Sequence, residues 1–338
     1  MNLPIHKKLA RKVVFPFLVN TGIHKMLIKE SNGVLNIYFH GIAPKDYTSV
    51  SGRHMQLNQF EKLLKYLINN FQIIDMKTSF EMNKPSNAKS KFISISFDDG
   101  YLNNYKYLPE IILKHKVPVT IFACGVAFEK NDFVMWTDQI ALMRYFLKED
   151  FIEIGNEKYF KSGAYDLISK NGTSLYGLIK KMGPDHREIF LSELDEKYKT
   201  IELTKNFDED YWKLMNSKQI IELQNTGYVE IASHGMYHYN LANITVEEAK
   251  KDMFAAATLL KNIANKSINS ISFPDGSYNA QVIEQAKDAG HNQLWISSYN
   301  NASDVENPNL RSRFGVSSTT NHYSNIISIH KAFKTYGI

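Results

Sequence analysis

The chain has 338 residues, 43% of them hydrophobic and 22% charged, with a formal net charge of +5 and a sequence pI near 8.9. This is ordinary globular composition with enough apolar residues for a sizeable core, and the excess charge is too small and too dispersed to indicate nucleic-acid binding. The one cysteine, Cys124, excludes a disulfide within the chain, and no apolar run reaches the ~18 residues of a membrane-spanning helix.

In chain order, residues 1–30 come first and are basic. Lys7, Lys8, Arg11 and Lys12 precede the apolar run from Val13 to Val19. The run is short for a secretory signal and no small-x-small cleavage site follows it. The segment therefore reads as a partly helical lead-in, an arm that either meets an anionic membrane surface or packs on its own domain. Without an export signal the expected location is the cytoplasm, with any membrane contact peripheral.

Residues 34–40 read as the first strand, which ends in His40 and is broken by Gly41. Asn58 with Glu61 three residues on has the form of a capping box. It opens a helix whose apolar face is Phe60, Leu63, Leu64, Leu67, Ile68 and Phe71. Residues 71–76 read as a short strand and 81–91 as a polar loop. Residues 93–97 alternate isoleucine and serine and end in phenylalanine, a strand that runs directly into Asp98, Asp99 and Gly100. A helix over 104–115 and a strand over 117–123 complete a βαβ unit, which argues for parallel strands.

The alternation is lost over residues 126–212, where a helix over 138–147 and a hairpin over 151–160 are the main features. This stretch reads as an insertion within one domain that shapes a substrate wall. From Ser217 the alternation resumes. A helix ends at Gly227, a strand follows over 229–234, and a second capping box at Thr245 and Glu248 opens another helix. A strand over 268–273 exits through Pro274, Asp275 and Gly276, and a helix over 281–289 leads to a strand over 294–297. Six or seven strand–helix units point to an α/β fold with a closed or nearly closed barrel, one domain over residues 31–338.

Two adjacent carboxylates at the C-terminal end of a strand stand where α/β folds place their ligands. They cannot both point the same way from an extended chain, so one suits a cation and the other a proton. His234 and His238 also follow a strand, at spacing i, i+4. On a helical turn that spacing puts both imidazoles on one face. Two histidines and one aspartate leave a position open for water on a divalent metal, the pattern of a hydrolytic site. Trp136 and Asp138 open the insertion and are read as core packing, a helix cap or the border of the cleft. Tyr101, Tyr105 and Tyr107 read as helix packing, and Cys124 as buried.

The chain resembles the polysaccharide deacetylase group with NodB homology, carbohydrate esterase family four. Phe97-Asp98-Asp99-Gly100 looks like its first motif, the stretch from Ser233 to His238 like its second, and the stretch from Phe273 to Tyr278 like its third. The resemblance runs in order from about residue 34 to 315, apart from the insertion. It implies a distorted (β/α)7 barrel, a metal held by Asp99, His234 and His238, and Asp98 as general base. A backbone N–H of the third motif, with the metal, would hold the oxyanion. Pro274, Asp275, Gly276 and Arg313 would line the substrate.

Two departures from the family pattern bear on chemistry. Ser272 stands where the third motif often begins with an arginine that orients the base, and Asp275 replaces the customary aromatic. Arg311 or Arg313 would have to supply that cation to Asp98. The family's late histidine, the general acid, has no clear counterpart. His40 is the first candidate for it because it ends a strand, with His322 and His330 behind it.

The expected function is a metal-dependent hydrolase that removes an N-acetyl group from a sugar. Zinc is the first choice of ion, with cobalt or nickel as alternatives. Its substrate would be an acetylated glycan intermediate, nucleotide-linked or lipid-linked, made for surface polysaccharide assembly. O-deacetylation or deformylation at the same site is an alternative. So is a sugar-binding protein that has lost catalysis, suggested by Ser272 and the missing acid.

Overall fold

The structure is a computed structural model that describes residues 9–28, 32–82, 90–130 and 132–336. Lys7 and Lys8 of the basic lead-in, and residues 83–89 of the polar loop, lie outside the described residues.

Eight strands follow one another around a nearly closed barrel. In space the order is Leu310–Ser312, Gln293–Ile296, Ser270–Ser272, Val229–Ser233, Val119–Ala123, Lys91–Phe97, Gly33–Phe39 and Phe314–Gly315, and all neighbours run parallel. Gln72–Ile73 adds a short ninth strand beside Lys91–Phe97. The first and last strands in this order are separated in sequence only by Arg313. The chain therefore steps across the seam of the barrel at that residue.

The isoleucine–serine alternation explains what each face of the central strand does. Ile93, Ile95 and Phe97 pack with Leu35, Ile37 and Phe39 under helix residues such as Leu63, Leu64 and Ile112. Ser94 and Ser96 face the other way, into the barrel, where Ser94 donates to Asn36 Oδ1 at 2.6 Å. Both faces are buried, as a parallel strand under helices requires. Small polar residues inside the barrel leave room for a larger side chain to enter from the seam.

Several local expectations need correction. The helix expected to be capped by Asn58 runs over Leu57–Asn70, with Gln56 as its N-cap and no side-chain cap. The His54–Gln56 strand feeds straight into it, so Asn58 lies inside the first turn and the Asn58–Glu61 box does not form. At Thr245 the same pattern does form, because there the chain arrives extended from a loop. Of the strand expected over 71–76 only Gln72–Ile73 pairs. Asp75 instead caps a helix over Met76–Glu81, accepting from Thr78 N at 2.7 Å.

The insertion builds a small core of its own. Phe151–Ile154, Glu157–Ser162 and Asp166–Ser169 form an antiparallel three-stranded sheet, one strand more than the expected hairpin. Its buried side packs on Trp136, Ile140, Leu175 and Leu194. Leu310–Ser312, Phe314–Gly315 and the helix His322–Ala332 give regular structure to the C-terminal stretch.

Candidate active site

Parallel strands bring their C-terminal ends to one rim. His40, Asp98, His234, Phe273, Ser297 and Arg313 are each the first residue beyond a strand. Residues more than 200 positions apart therefore meet around one cleft of about 310 Å³.

Asp98 and Asp99 diverge at the strand end, as the extended backbone demands. Asp98 N still donates to Phe39 O at 2.9 Å, continuing the ladder. Asp99 then takes a left-handed φ of 72°, followed by Gly100 at 84°. Among the described residues six non-glycines have positive φ. Asp99, His238 and Asp275 each belong to one of the three motifs, and Lys116, Lys199 and Asn265 end helices. Away from helix ends, this backbone strain is thus confined to the site.

Asp99 Oδ1 lies 3.4 Å from His234 Nε2 and 3.4 Å from His238 Nε2, all three side chains being buried. The three donor atoms are within 4.8 Å of one another. A separation of 3.4 Å is long for a well-formed hydrogen bond, and Asp99 Oδ1 has no such partner. It is close to the edge of a tetrahedron around an ion with ligands at ~2.1 Å. One carboxylate and two imidazoles are also the donor types of a zinc-like site, so the residues fit a divalent metal. His234 Nδ1–H donates to Ser272 O at 2.8 Å, which fixes the tautomer with Nε2 bare toward Asp99.

The loop between the two histidines is not the helical turn expected from their spacing. Gly235 at φ 72° and His238 at φ 53° fold it back instead. Asp252, on the helix Val246–Ala264, accepts from Met236 N at 2.8 Å and Tyr237 N at 3.1 Å. A Cβ on Gly235 would stand 2.6 Å from Asp252 Oδ2, so this approach needs glycine. From the insertion, Arg187 donates to His238 O at 3.2 Å and Tyr237 O at 2.9 Å and stacks 3.9 Å over Tyr239.

Asp98 meets Arg313. Nη1 donates to Oδ1 at 2.7 Å and Nη2 to Oδ2 at 2.8 Å, with the pair buried. Nη1 also donates to Ser96 Oγ at 3.0 Å, Nη2 contacts Ser272 Oγ, and the guanidinium lies 4.6 Å over Tyr38. The inward serines are therefore the pocket for this side chain. Ser272 stands aside for a cation that arrives across the seam. Arg311 goes elsewhere, to the carbonyls of Asn307 and Leu310 and over Phe80. Arg313 lines the cleft as expected, and its two terminal nitrogens are engaged by Asp98 and the two serines while Nε is left without a partner.

The charges agree with this division. Burial pushes the Asp98 carboxyl up, but Arg313, with His234 beside it, outweighs burial and holds it below the usual carboxylate range. Asp99 is opposed by burial in the same way and is lowered by the two imidazoles. Burial lowers His238, whereas at His234 the carboxylates of Asp98 and Asp99 overcome burial and raise it.

The third motif forms a tight turn. Asp275 has φ 58° and Gly276 φ 65°, and a Cβ on Gly276 would lie 1.9 Å from Ser297 Oγ. Asp275 and Gly276 line the cleft; Pro274 is buried and does not. Asp275 Oδ1 pairs with Lys180 Nζ at 2.6 Å. His40 lines the cleft on the strand next to that of Asp98, its carbonyl accepting from Asn104 Nδ2 at 2.8 Å. His322 and His330 do not line the cleft. His322 Nδ1 meets Gln59 at 3.0 Å and His330 Nε2 meets Tyr66 Oη at 2.7 Å.

Sequence reasoning missed Arg53, Thr137, Tyr176, Lys180 and Ser297 as lining residues. Ser297 was open to the strand-end rule. No local signal marks the others. Arg53 pairs with buried Asp138 at 2.7 Å, and Tyr101 Oη donates to the same carboxylate at 3.0 Å. Asp138 thus anchors a wall contributed by the insertion.

No curated protein matches this chain significantly. Among solved structures it is similar to the Streptococcus pyogenes deacetylase PplD in complex with acetate, at 12% identity and a TM-score of 0.55, over 89% of this chain and 99% of that one. It is also similar to IcaB from Ammonifex degensii, at 12% identity and a TM-score of 0.54, over 90% and 99%. A putative polysaccharide deacetylase from Bacillus anthracis, BA0330, gives 14% identity and a TM-score of 0.53, over 88% and 69%. At such identities the likeness is one of fold, and it agrees with the (β/α) barrel. The profile described as polysaccharide deacetylase matches residues 86–159 and 194–294, just over half of the chain. The gap between the two matched stretches falls inside the insertion, and all three motifs fall inside the match. The chain belongs to the polysaccharide deacetylase family and is an enzyme of it, a hydrolase that deacetylates carbohydrate.

Proposed function

We propose that the protein removes an N-acetyl group from a sugar of a glycan or glycan precursor, using a divalent metal, zinc first, held by Asp99, His234 and His238. The observation that carries the reading is the divergence of Asp98 and Asp99 toward two different partners, Arg313 and the imidazole pair. A metal there would lower the pKa of a water molecule and polarise the acyl carbonyl.

The protein's own residues do the rest. Asp98, kept ionised by Arg313, takes the proton of the attacking water. The bidentate contact also fixes the carboxylate plane, so the free lone pairs of Asp98 face the cleft. The N–H groups of Gly276 and Ser277 are used within the turn, donating to Phe273 O at 2.9 Å and Pro274 O at 3.1 Å. The N–H of Asp275 is therefore the donor we assign to the developing oxyanion. His40 gives a proton to the departing nitrogen as the C–N bond breaks, so water and amide become acetate and amine.

The test is acetate release from N-acetylated and O-acetylated sugars by the zinc-loaded protein. N-acetyl substrates should be cleaved, and Asp98→Asn should cost about 10²–10⁴-fold. His40→Asn should slow amide cleavage more than cleavage of an ester with a good leaving group, which needs no proton. Acetate release from esters alone, or full activity in Asp98→Asn, would overturn the proposal. The alternative of a sugar binder without catalysis predicts no turnover of any acetylated sugar.

A further inference from the structure

The described part of the N-terminal arm is two-faced. It is helical over Ala10–Val14 and Phe15–Asn20, then over Ile23–Leu27. Its inner face holds to the barrel's outer helices. Val19 is buried, His24 bridges Leu18 O at 3.0 Å and Tyr66 Oη at 2.6 Å, and Asn321 Nδ2 donates to Arg11 O at 3.0 Å. Its outer face carries Leu9, Val13 and Phe17, at i, i+4 and i+8, all more than half exposed. Val14, Met26 and Leu27 on the same arm are exposed too, Met26 at 83%.

This is a patch and not scatter. Fifteen large apolar side chains are exposed among the described residues, and six lie within residues 9–27. The same stretch is cationic. Residues 9–27 contain three lysines and arginines, Arg11, Lys12 and Lys25, and no aspartate or glutamate. Lys12 and Lys25 are both exposed.

From these observations we infer that the outer face of residues 9–27 docks the protein on an anionic lipid surface. Apolar side chains on one helical face with lysines beside them are what an interfacial segment needs, since neither contribution alone gives stable attachment. A second copy of the chain fits worse. A symmetric pair would bring the cations of two arms together with only Glu30 on each arm to offset them. The inference does not rest on the proposed N-deacetylation.

The arm's position gives the docking an orientation. Asn321, which holds Arg11, caps the helix that begins just beyond the rim end of the Phe314–Gly315 strand. Lys25 meets Asn70, at the far end of the Leu57–Asn70 helix, which also begins at the rim. The patch thus runs down the side of the barrel. Docked there, the barrel lies on its side with the cleft opening along the membrane, where a lipid-linked glycan would present its sugars.

The experiment is sedimentation of the full chain with phosphatidylglycerol–phosphatidylcholine vesicles and with phosphatidylcholine alone, at low and high salt. Binding to the anionic vesicles should be at least tenfold tighter and should weaken with salt. The Val13→Glu, Phe17→Glu double variant should lose it while its thermal melt is unchanged. A second pair, Val13→Ser with Met26→Ser, should weaken it with less risk to folding. Light scattering run alongside should report a monomer. No sedimentation with anionic vesicles, equal binding to both lipids, equal binding by the variants, or a dimer that the double variant dissociates would each overturn the inference.

Discussion

Arg313 and Asp98 offer the sharpest test of how the site is held. Arg313→Met leaves a buried carboxylate whose side chain is 5% exposed and without its counter-ion; Asp98→Asn leaves a guanidinium 3% exposed in the same position. Charge centres about 4 Å apart attract by ~4 kcal/mol at the effective dielectric of about 20 that suits such sites. Removing one partner of a buried pair costs ~3–5 kcal/mol, much of it the stranded charge. The double variant strands no charge, so it should be far less destabilised than the sum of the two. The expected coupling is ~2–4 kcal/mol, read from denaturant melts of the four proteins with a chelator present to hold metal constant. Additivity within ~0.5 kcal/mol would mean that the pair is not energetically joined and that Arg313 does not hold Asp98. Arg313→Lys keeps the charge but not the two-pronged fork, and should recover stability better than activity.

Further expectations concern the frame around the cleft and the arm. Asp252→Ala removes the acceptor for two N–H groups of the His234–His238 loop, and zinc affinity in a chelator competition should fall about 10–100-fold; unchanged affinity would remove Asp252 from the support of the ligands. Gly276→Ala places a methyl against Ser297 Oγ at a left-handed φ, and should cost ~1–3 kcal/mol together with activity; an unaffected melt would show that the turn relaxes freely. Burial, with His24 and two lysines nearby, holds the His330 pKa at about 3. The unfolded chain, at about 6.5, then binds a proton that the folded one refuses, so stability is lost as pH falls from about 6.5 toward 3. His330→Gln should lose less stability between pH 7.5 and pH 5 than the parent; an equal loss would mean His330 does not carry the effect.

The parts of the molecule legible in the sequence are those decided locally. Isoleucine–serine alternation ending in two acids and a glycine marks a parallel strand and its rim. The same rule led to His40 and His234, and would have led to Ser297. Where a side chain's partner lies across the fold, the sequence leaves a choice. Arg311 and Arg313 are two residues apart, and only the seam of the barrel decides which one enters. The His234–His238 spacing suggested the right neighbours through the wrong geometry, because a left-handed glycine and a buried aspartate do what a helical turn was expected to do. Thr245 and Asn58 carry the same capping pattern, yet a strand running into the helix cancels one of them. Lys180 and Tyr176 reach the cleft from the insertion, whose path no local pattern dictates.

The central claim is that Asp99, His234 and His238 converge on one cation beside an Asp98 that is held by Arg313 and does not ligate it. Anomalous diffraction at the zinc edge from crystals grown with zinc tests it most directly. The account predicts a peak bound by Asp99 Oδ1 and by Nε2 of both histidines, with Asp98 still on Arg313. A peak elsewhere, or Asp99 turned away from the imidazoles in the zinc-soaked crystal, would contradict it.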